Sequence, residues 1–386
     1  MRVMIAGGGT GGHLFPGIAL AEEVSTRHHK NSVVFVGTDR GLESRIVPAA
    51  GYTLEVIPAS RGLKGMGLLR LLQGLVTLPL AVLAAWRILR RYRPDVVVGV
   101  GGYASFPVVF AAWLQRLPTC IQEQNALPGL TNKLLGRIAK VVFISFEDAR
   151  HYFPAGKVQL IGNPIRAKLM DNYLRSRAAH AKFTVLVFGG SLGATRVNQL
   201  TLEALDHLGD FKDSFHFVHQ TGKSDLEKVR QGYAARGFEA EVLEFIDDMS
   251  AAYAGADLVV CRAGATTVAE LTVCKKAAIL IPYPFATDNH QEVNARSLVE
   301  AGAALMFRES ELTGELLATN IRGLKESPDR LKRMERQAGL LGRPEAAKEL
   351  ADVCVQLMVQ TWGPHGRDRP DKEKGKDKDK KGGKAA

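Results

Sequence analysis

Cysteine is scarce. Four thiols in 386 residues (Cys120, Cys261, Cys274 and Cys354) include no CxxC pair and no metal-ligand spacing. This excludes a disulfide framework and leaves reduced, structural thiols in a cytosolic setting as the expectation. A run able to span a bilayer is missing too: Leu71–Trp86 has sixteen uncharged residues but is broken by Pro79 and is too short. The apolar start Val3–Ala6 is four residues long and meets glycine at once, so no signal peptide is read there. Nor is any basic stretch interleaved with aromatics as stacking platforms require, so nucleic acid is not an expected partner.

Acidic residues are outnumbered, 40 Asp/Glu against 51 Lys/Arg, for a net charge of +11. Part of the excess sits in Gly363–Ala386, where nine cations meet five anions without apolar periodicity, so this tail reads as disordered. Its Asp377-Lys378-Asp379 mimics a DxD metal motif, but in a lysine tract the match is chance. The remaining +7 suits an anionic lipid surface or a phosphorylated substrate. Otherwise the chain is ordinary for a globular protein, 46% hydrophobic and 24% charged, and long enough for two domains.

What is present centres on Asp257–Asn294. Asp257–Cys261 is a branched apolar run, the mark of a buried parallel strand. Small residues follow at Ala263–Thr267, and Val268–Cys274 restarts with helical spacing. A strand that opens a helix through small residues presents unpaired N–H groups and a positive dipole end, which suits phosphate. Glu270, one turn further in, suits the two hydroxyls of a ribose, because an ionised acid only accepts hydrogen bonds. Beyond the next strand, Ala278–Pro282, the polar groups of Asp288–Gln291 can read sugar hydroxyls. The stretch reads as half of a nucleotide-sugar site.

An internal repeat sets the architecture. Val3–Gly12 lines up with Val185–Ala194, and Asp95–Gly102 lines up with Asp257–Gly264, in the same order and at similar offsets. Short strands such as Val33–Gly37, Val96–Val100, Val141–Ile144 and Phe215–His219 alternate with longer helical stretches. The fold class is therefore α/β, two Rossmann-like doubly wound parallel sheets facing a cleft. The domains are expected over 1–163 and 164–341, with a helix at about 342–361 packing back on the first.

The first loop has a rival reading. Gly7, Gly9 and Gly12 satisfy G-x-G-x-x-G and Asp39 follows the second strand, as in a nicotinamide or flavin oxidoreductase. Against it, the glycine run continues into His13 and the loop recurs at Gly189–Ala194. A third phosphate-and-ribose signal stands at Ala265–Glu270. A histidine on a glycine loop at a cleft is a candidate catalyst, although a lone histidine after a strand is more often structural.

Six motifs then resemble one family. Gly8–His13, Gly101–Pro107, Glu123-Gln124-Asn125, Gly162–Arg166, Gly189–Ala194 and Glu244–Met249 look like the set of the MurG family, the undecaprenyl-diphospho-muramoylpentapeptide N-acetylglucosaminyltransferases. The likeness spans about Val3–Thr361; one departure is Gln122, where the family usually has histidine. The resemblance implies a GT-B fold and inverting, metal-independent transfer of N-acetylglucosamine from UDP-N-acetylglucosamine. The acceptor would be the 4-hydroxyl of undecaprenyl-diphospho-N-acetylmuramoyl-pentapeptide, a step of peptidoglycan synthesis and so of cell shape and division. It implies that Thr10, Gly11 and Gly12 contact the donor, Asn125 and Gln291 hold its sugar, and Arg166 and Ser191 bind diphosphate. Backbone at Ile246 would hold uracil, Ala265, Thr266, Thr267, Val268, Ala269 and Glu270 would wrap phosphate and ribose, and Tyr103 would lie on the acceptor side. His13 is the candidate base and Glu123 the reserve, although Glu123 could equally orient Asn125. No cofactor is implied.

The acceptor also implies a place, the cytoplasmic face of the plasma membrane, peripherally bound and beside other cell-wall synthesis proteins. Leu71–Trp86 is flanked by Arg61, Lys64 and Arg70, then by Arg87, Arg90, Arg91 and Arg93. An apolar patch ringed by cations fits anionic lipid; a helix buried against the first sheet is the competing reading. Three functions stay open: the transferase, the oxidoreductase, and a sugar-nucleotide-binding module without turnover.

Overall fold

The computed structural model describes residues 1–59, 68–175 and 182–367. The first sheet contains β1 (Arg2–Ala6), β2 (Ser32–Gly37), β3 (Thr53–Val56), β4 (Val96–Gly99), β5 (Thr119–Glu123), β6 (Val141–Ile144) and β7 (Val158–Leu160). Its order is β3-β2-β1-β4-β5-β6-β7, and every pairing is parallel. The second contains β8 (Phe183–Phe188), β9 (Phe215–Gln220), β10 (Ala240–Leu243), β11 (Leu258–Cys261), β12 (Ala278–Leu280) and β13 (Ala304–Met306). It runs β10-β9-β8-β11-β12-β13, again all parallel. β1 and β8 hold the same place in the two orders, as do β4 and β11. The repeat in the sequence is thus a repeat of topology, with each order reversing between these two strands, where ligands bind in such sheets.

Both sheets are buried on two faces, which is why their strands read as continuous branched runs rather than alternating ones. Val96, Val97 and Val98 are fully buried, as are Val259 and Val260. The helix Ala346–Trp362 lies on the first sheet: Leu350, Ala351, Cys354 and Met358 pack among Val3, Ile5 and Leu20. Trp362 Nε1 donates to the Asp95 carbonyl at 3.0 Å. Here the expectation of a structureless tail needs correction at its start, because Arg367 donates its backbone N–H to Asp95 at 2.8 Å. Asp377–Asp379 lies outside the described residues.

Helix Leu68–Tyr92 shows a division of faces beyond Pro79. Ala81, Ala85, Ile88 and Leu89 are buried in the core of the first domain. Leu80 and Leu83 are about half exposed, and Arg87, Arg90 and Arg91 are exposed. The buried-helix reading therefore holds for one face, and the other face is exposed. Arg61 and Lys64 lie outside the described residues, as does the side chain of Arg70. Among the described residues no helix is long and apolar enough to cross a membrane.

Candidate active site

Two strand-to-helix turns face each other across the cleft. In the second domain, helix Ala265–Val273 begins directly after β11, and its N-cap, Gly264, has no side chain to satisfy the first amides. An uncapped N-terminus of this kind holds an anion through backbone N–H groups and the helix dipole. Thr266 Oγ1 is buried beside it without a hydrogen-bond partner. Gln291 braces the turn: its Oε1 accepts from the N–H of Ala263 at 3.2 Å and of Tyr283 at 3.0 Å, leaving the amide NH₂ to donate. The other polar candidates nearby are engaged in the protein itself. Asn289 Nδ2 donates to Glu292 at 2.8 Å, and His290 Nδ1 lies 2.7 Å from the Thr287 carbonyl.

Glu270 lines the same wall. Its Oε2 accepts from the hydroxyl of the fully buried Tyr253 at 3.0 Å. Burial pushes this carboxyl up to about 7, with the Tyr253 hydrogen bond and the charge of Arg166 pulling the other way. A half-buried carboxyl with one protein donor lacks the partners that would stabilise its charge. Ribose hydroxyls would supply them. Ile246 follows β10 with its side chain in the core, and its backbone N–H and C=O have no partner among the described residues, leaving a donor and an acceptor for a planar base. Ser191 is exposed on the loop after β8, where Gly193 has φ +77° and a Cβ would stand 1.9 Å from the Thr221 carbonyl, so only glycine fits.

Arg166 joins the halves. It is exposed, its guanidinium carbon lies 5.5 Å from the Phe15 ring of the first domain, and its charge reaches Glu270 of the second. Asn294, fully buried, bridges them deeper down. Its Oδ1 accepts from the Ala126 N–H at 2.9 Å, and its Nδ2 donates to Asn125 Oδ1 and the Ala263 carbonyl, both at 3.2 Å.

In the first domain Thr10 is the N-cap of helix Gly11–Arg27 and makes no side-chain cap, so the amides of Gly11 and Gly12 have no partner among the described residues. His13 lies in that first turn, its Nδ1 3.1 Å from Gln124 Oε1. Burial lowers its basicity below the usual range despite that hydrogen bond, so the ring is neutral at pH 7. Tyr103 follows Gly101-Gly102, and its hydroxyl is buried without a partner.

Glu123 is placed differently from a base. It is 1% exposed, and its carboxylate accepts from Asn125 N at 2.9 Å, Asn132 Nδ2 at 2.9 Å and Gly129 N at 3.3 Å. Burial raises its pKa against these bonds, but both oxygens are committed to the loop that carries Asn125. It orients Asn125. Gln122 is equally internal, donating from Nε2 to Ser145 Oγ at 3.2 Å and to the Gly162 carbonyl at 3.1 Å.

Sequence reasoning missed Glu43. It stands 1% exposed under the glycine loop, accepting from Gly9 N at 2.7 Å, Thr38 N at 3.0 Å and Thr38 Oγ1 at 2.8 Å. Burial alone would raise its pKa; the hydrogen bonds outweigh it and hold the carboxyl below the usual range. Asp39, the acid that a dinucleotide site would use, is exposed and paired with Arg40 at 3.6 Å. Asn294 and Tyr253 also escaped notice, since neither stands in a glycine motif. Among the described residues no group of three or more His, Cys, Asp or Glu is arranged to hold a metal.

Two Rossmann-like parallel-sheet domains, with an uncapped helix end on one wall and a histidine on the other, have the GT-B architecture. Residues 3–144 match the glycosyltransferase family 28 N-terminal domain, and residues 184–350 match its C-terminal domain. The chain is 74% identical over 369 residues to a UDP-N-acetylglucosamine–N-acetylmuramyl-(pentapeptide) pyrophosphoryl-undecaprenol N-acetylglucosamine transferase of Myxococcus xanthus, covering 96% of each chain. A protein of the same name from Anaeromyxobacter dehalogenans is 61% identical over 370 residues, again 96% of each. A crystal structure of Acinetobacter baumannii MurG superposes with a TM-score of 0.76 at 32% identity, covering 92% of this chain and 99% of that one. The chain belongs to glycosyltransferase family 28, and within it to the MurG family. The oxidoreductase reading is thereby overturned.

Proposed function

We propose that this enzyme transfers N-acetylglucosamine from UDP-N-acetylglucosamine to the muramic acid 4-hydroxyl of undecaprenyl-diphospho-N-acetylmuramoyl-pentapeptide, with inversion. The observation that carries the reading is the position of Arg166, between Phe15 of one domain and Glu270 of the other. A cation there meets a diphosphate whose ribose lies on Glu270 and whose sugar faces His13. The acceptor hydroxyl attacks the anomeric carbon, its proton passes to His13 Nε2, and the C1–O bond breaks with its electron pair leaving on UDP. Charge developing on that leaving group is met by Arg166, the Ser191 loop and the amides opening helix Ala265–Val273. Uracil is held by the Ile246 backbone, the sugar by Asn125 and Gln291. Thr10, Gly11 and Gly12 meet the donor from the first domain, and Tyr103 lies toward the acceptor side.

The test is turnover: UDP release with a soluble analogue of the lipid-linked acceptor, with and without EDTA. Release dependent on the acceptor and unaffected by EDTA is expected. Donor binding without turnover would leave a binding module.

The same reading places the protein peripherally on the cytoplasmic face of the plasma membrane, where the acceptor is met and other cell-wall synthesis proteins work. Leu80 and Leu83 beside exposed Arg87, Arg90 and Arg91 support it. Each cation near an anionic surface adds about 1 kcal/mol. Changing these three arginines to Glu should release the protein from anionic vesicles and leave donor affinity intact; equal sedimentation of both forms would refute this docking face.

A further inference from the structure

We propose that Gln124 is a positioning residue that sets the tautomer of His13, keeping one proton on Nδ1 so that Nε2 meets the acceptor hydroxyl as the unprotonated nitrogen. The inference rests on His13 being the base, and its test separates the two.

Gln124 is buried just past β5. Its Nε2 donates to the Val100 carbonyl at 2.9 Å and the Gln122 carbonyl at 3.3 Å. Carbonyls only accept, so the NH₂ group must face them; turning the amide over would set Oε1 against two acceptors. That leaves Oε1 3.1 Å from His13 Nδ1. An amide oxygen donates nothing, so the contact is a hydrogen bond only if Nδ1 carries the proton. Gly101 permits the approach: its φ is +93°, and a Cβ there would stand 2.6 Å from Nδ1.

With one proton fixed on Nδ1 of a neutral ring, the lone pair is on Nε2, which has no partner among the described residues. The positive end of helix Gly11–Arg27 also disfavours a standing imidazolium. When Nε2 takes the acceptor proton, Gln124 Oε1 accepts from the cationic ring, and a charge-assisted bond is stronger than a neutral one. Gln124 thus strengthens its hold as the transition state forms. No glycine motif announces this role, because it depends on two carbonyls, just past β4 and in β5, that orient Gln124 toward the first helix.

The experiment is histidine ¹⁵N NMR of the full-length protein together with kinetics on a soluble acceptor. Wild-type His13 should show a protonated Nδ1 and an unprotonated Nε2 at neutral pH. Gln124→Leu should lose that preference and lower kcat about 10²-fold with donor KM unchanged, the scale of a misplaced general base. Gln124→Met, close to glutamine in size but without an amide, should lose the preference in the same way, and serves if the leucine variant does not fold. A protonated Nε2 in the wild type, or a leucine variant with unchanged tautomer or unchanged kcat, overturns the proposal. Full kcat in His13→Ala with the expected wild-type spectrum would overturn the base reading while leaving the tautomer assignment standing.

Discussion

Glu43 and Glu270 each stand beside a turn where a central strand meets a helix, yet their pKa values are pushed in opposite directions. Glu43 receives three hydrogen bonds, one from Gly9 and two from Thr38, and is held below the usual range. Glu270 receives one and is pushed up to about 7. A carboxylate whose donors are all supplied by the protein is a structural brace; one left short of donors in a buried wall is built to receive them from a ligand. On the proposed function, the first wall carries the reacting histidine and the second the nucleotide.

Changes on the first wall should accordingly act on turnover or stability, and changes on the second on donor affinity. The largest effect is expected for His13→Ala, a fall in kcat of about 10²–10⁴ with donor affinity kept. A loss confined to KM would assign His13 to positioning. Glu43→Ala should come next, costing about 3 kcal/mol of stability, because three inward-facing donors lose their acceptor. Thermal melting reads this, and an unchanged Tm would remove the brace. Glu270→Ala should weaken UDP-N-acetylglucosamine binding by roughly 1.5–3 kcal/mol in calorimetry without lowering Tm. If that variant instead melts early and binds normally, the comparison is inverted.

The pH dependence follows from the same pair. Donor hydroxyls need the ionised form of Glu270, so donor affinity should fall as pH drops through about 7, and Glu270→Gln should abolish the dependence. Without donor the sign reverses. A carboxyl raised from 4.5 to about 7 contributes stability that is full below 4.5 and lost as pH rises through 7. Glu43, depressed, contributes stability that is present above its ordinary range and lost in acid. The smallest effect should come from the tail: ending the chain at Trp362 should leave kcat on a soluble acceptor unchanged, since Arg367 binds Asp95 on the first sheet and not the cleft. A large fall in turnover would show the tail reaching the site.

Much of this was legible before any coordinates. Parallel strands buried on both faces announce themselves as branched runs, and β1, β4, β8 and β11 lie where those runs stand. Ala265 and Glu270 were legible because a strand, a small-residue turn and a helix are local events. Glu43 was not: it sits 34 residues from the amide it holds, and nothing in its own neighbourhood marks it. Glu123 shows the reverse case. Its motif suggested chemistry, while the amides of Asn125, Gly129 and Asn132 had already taken its oxygens.

The sequence by itself determined the two α/β halves, the glycine turns and the family, because these rest on local backbone preference and residue spacing. Only the tertiary structure decided which ionisable group does what. Asn294 meets Asn125 across 169 residues, and His13 meets Gln124 across 111. Protonation, tautomer and the supply of donors depend on burial and on such distant partners, and those exist only once the chain has closed.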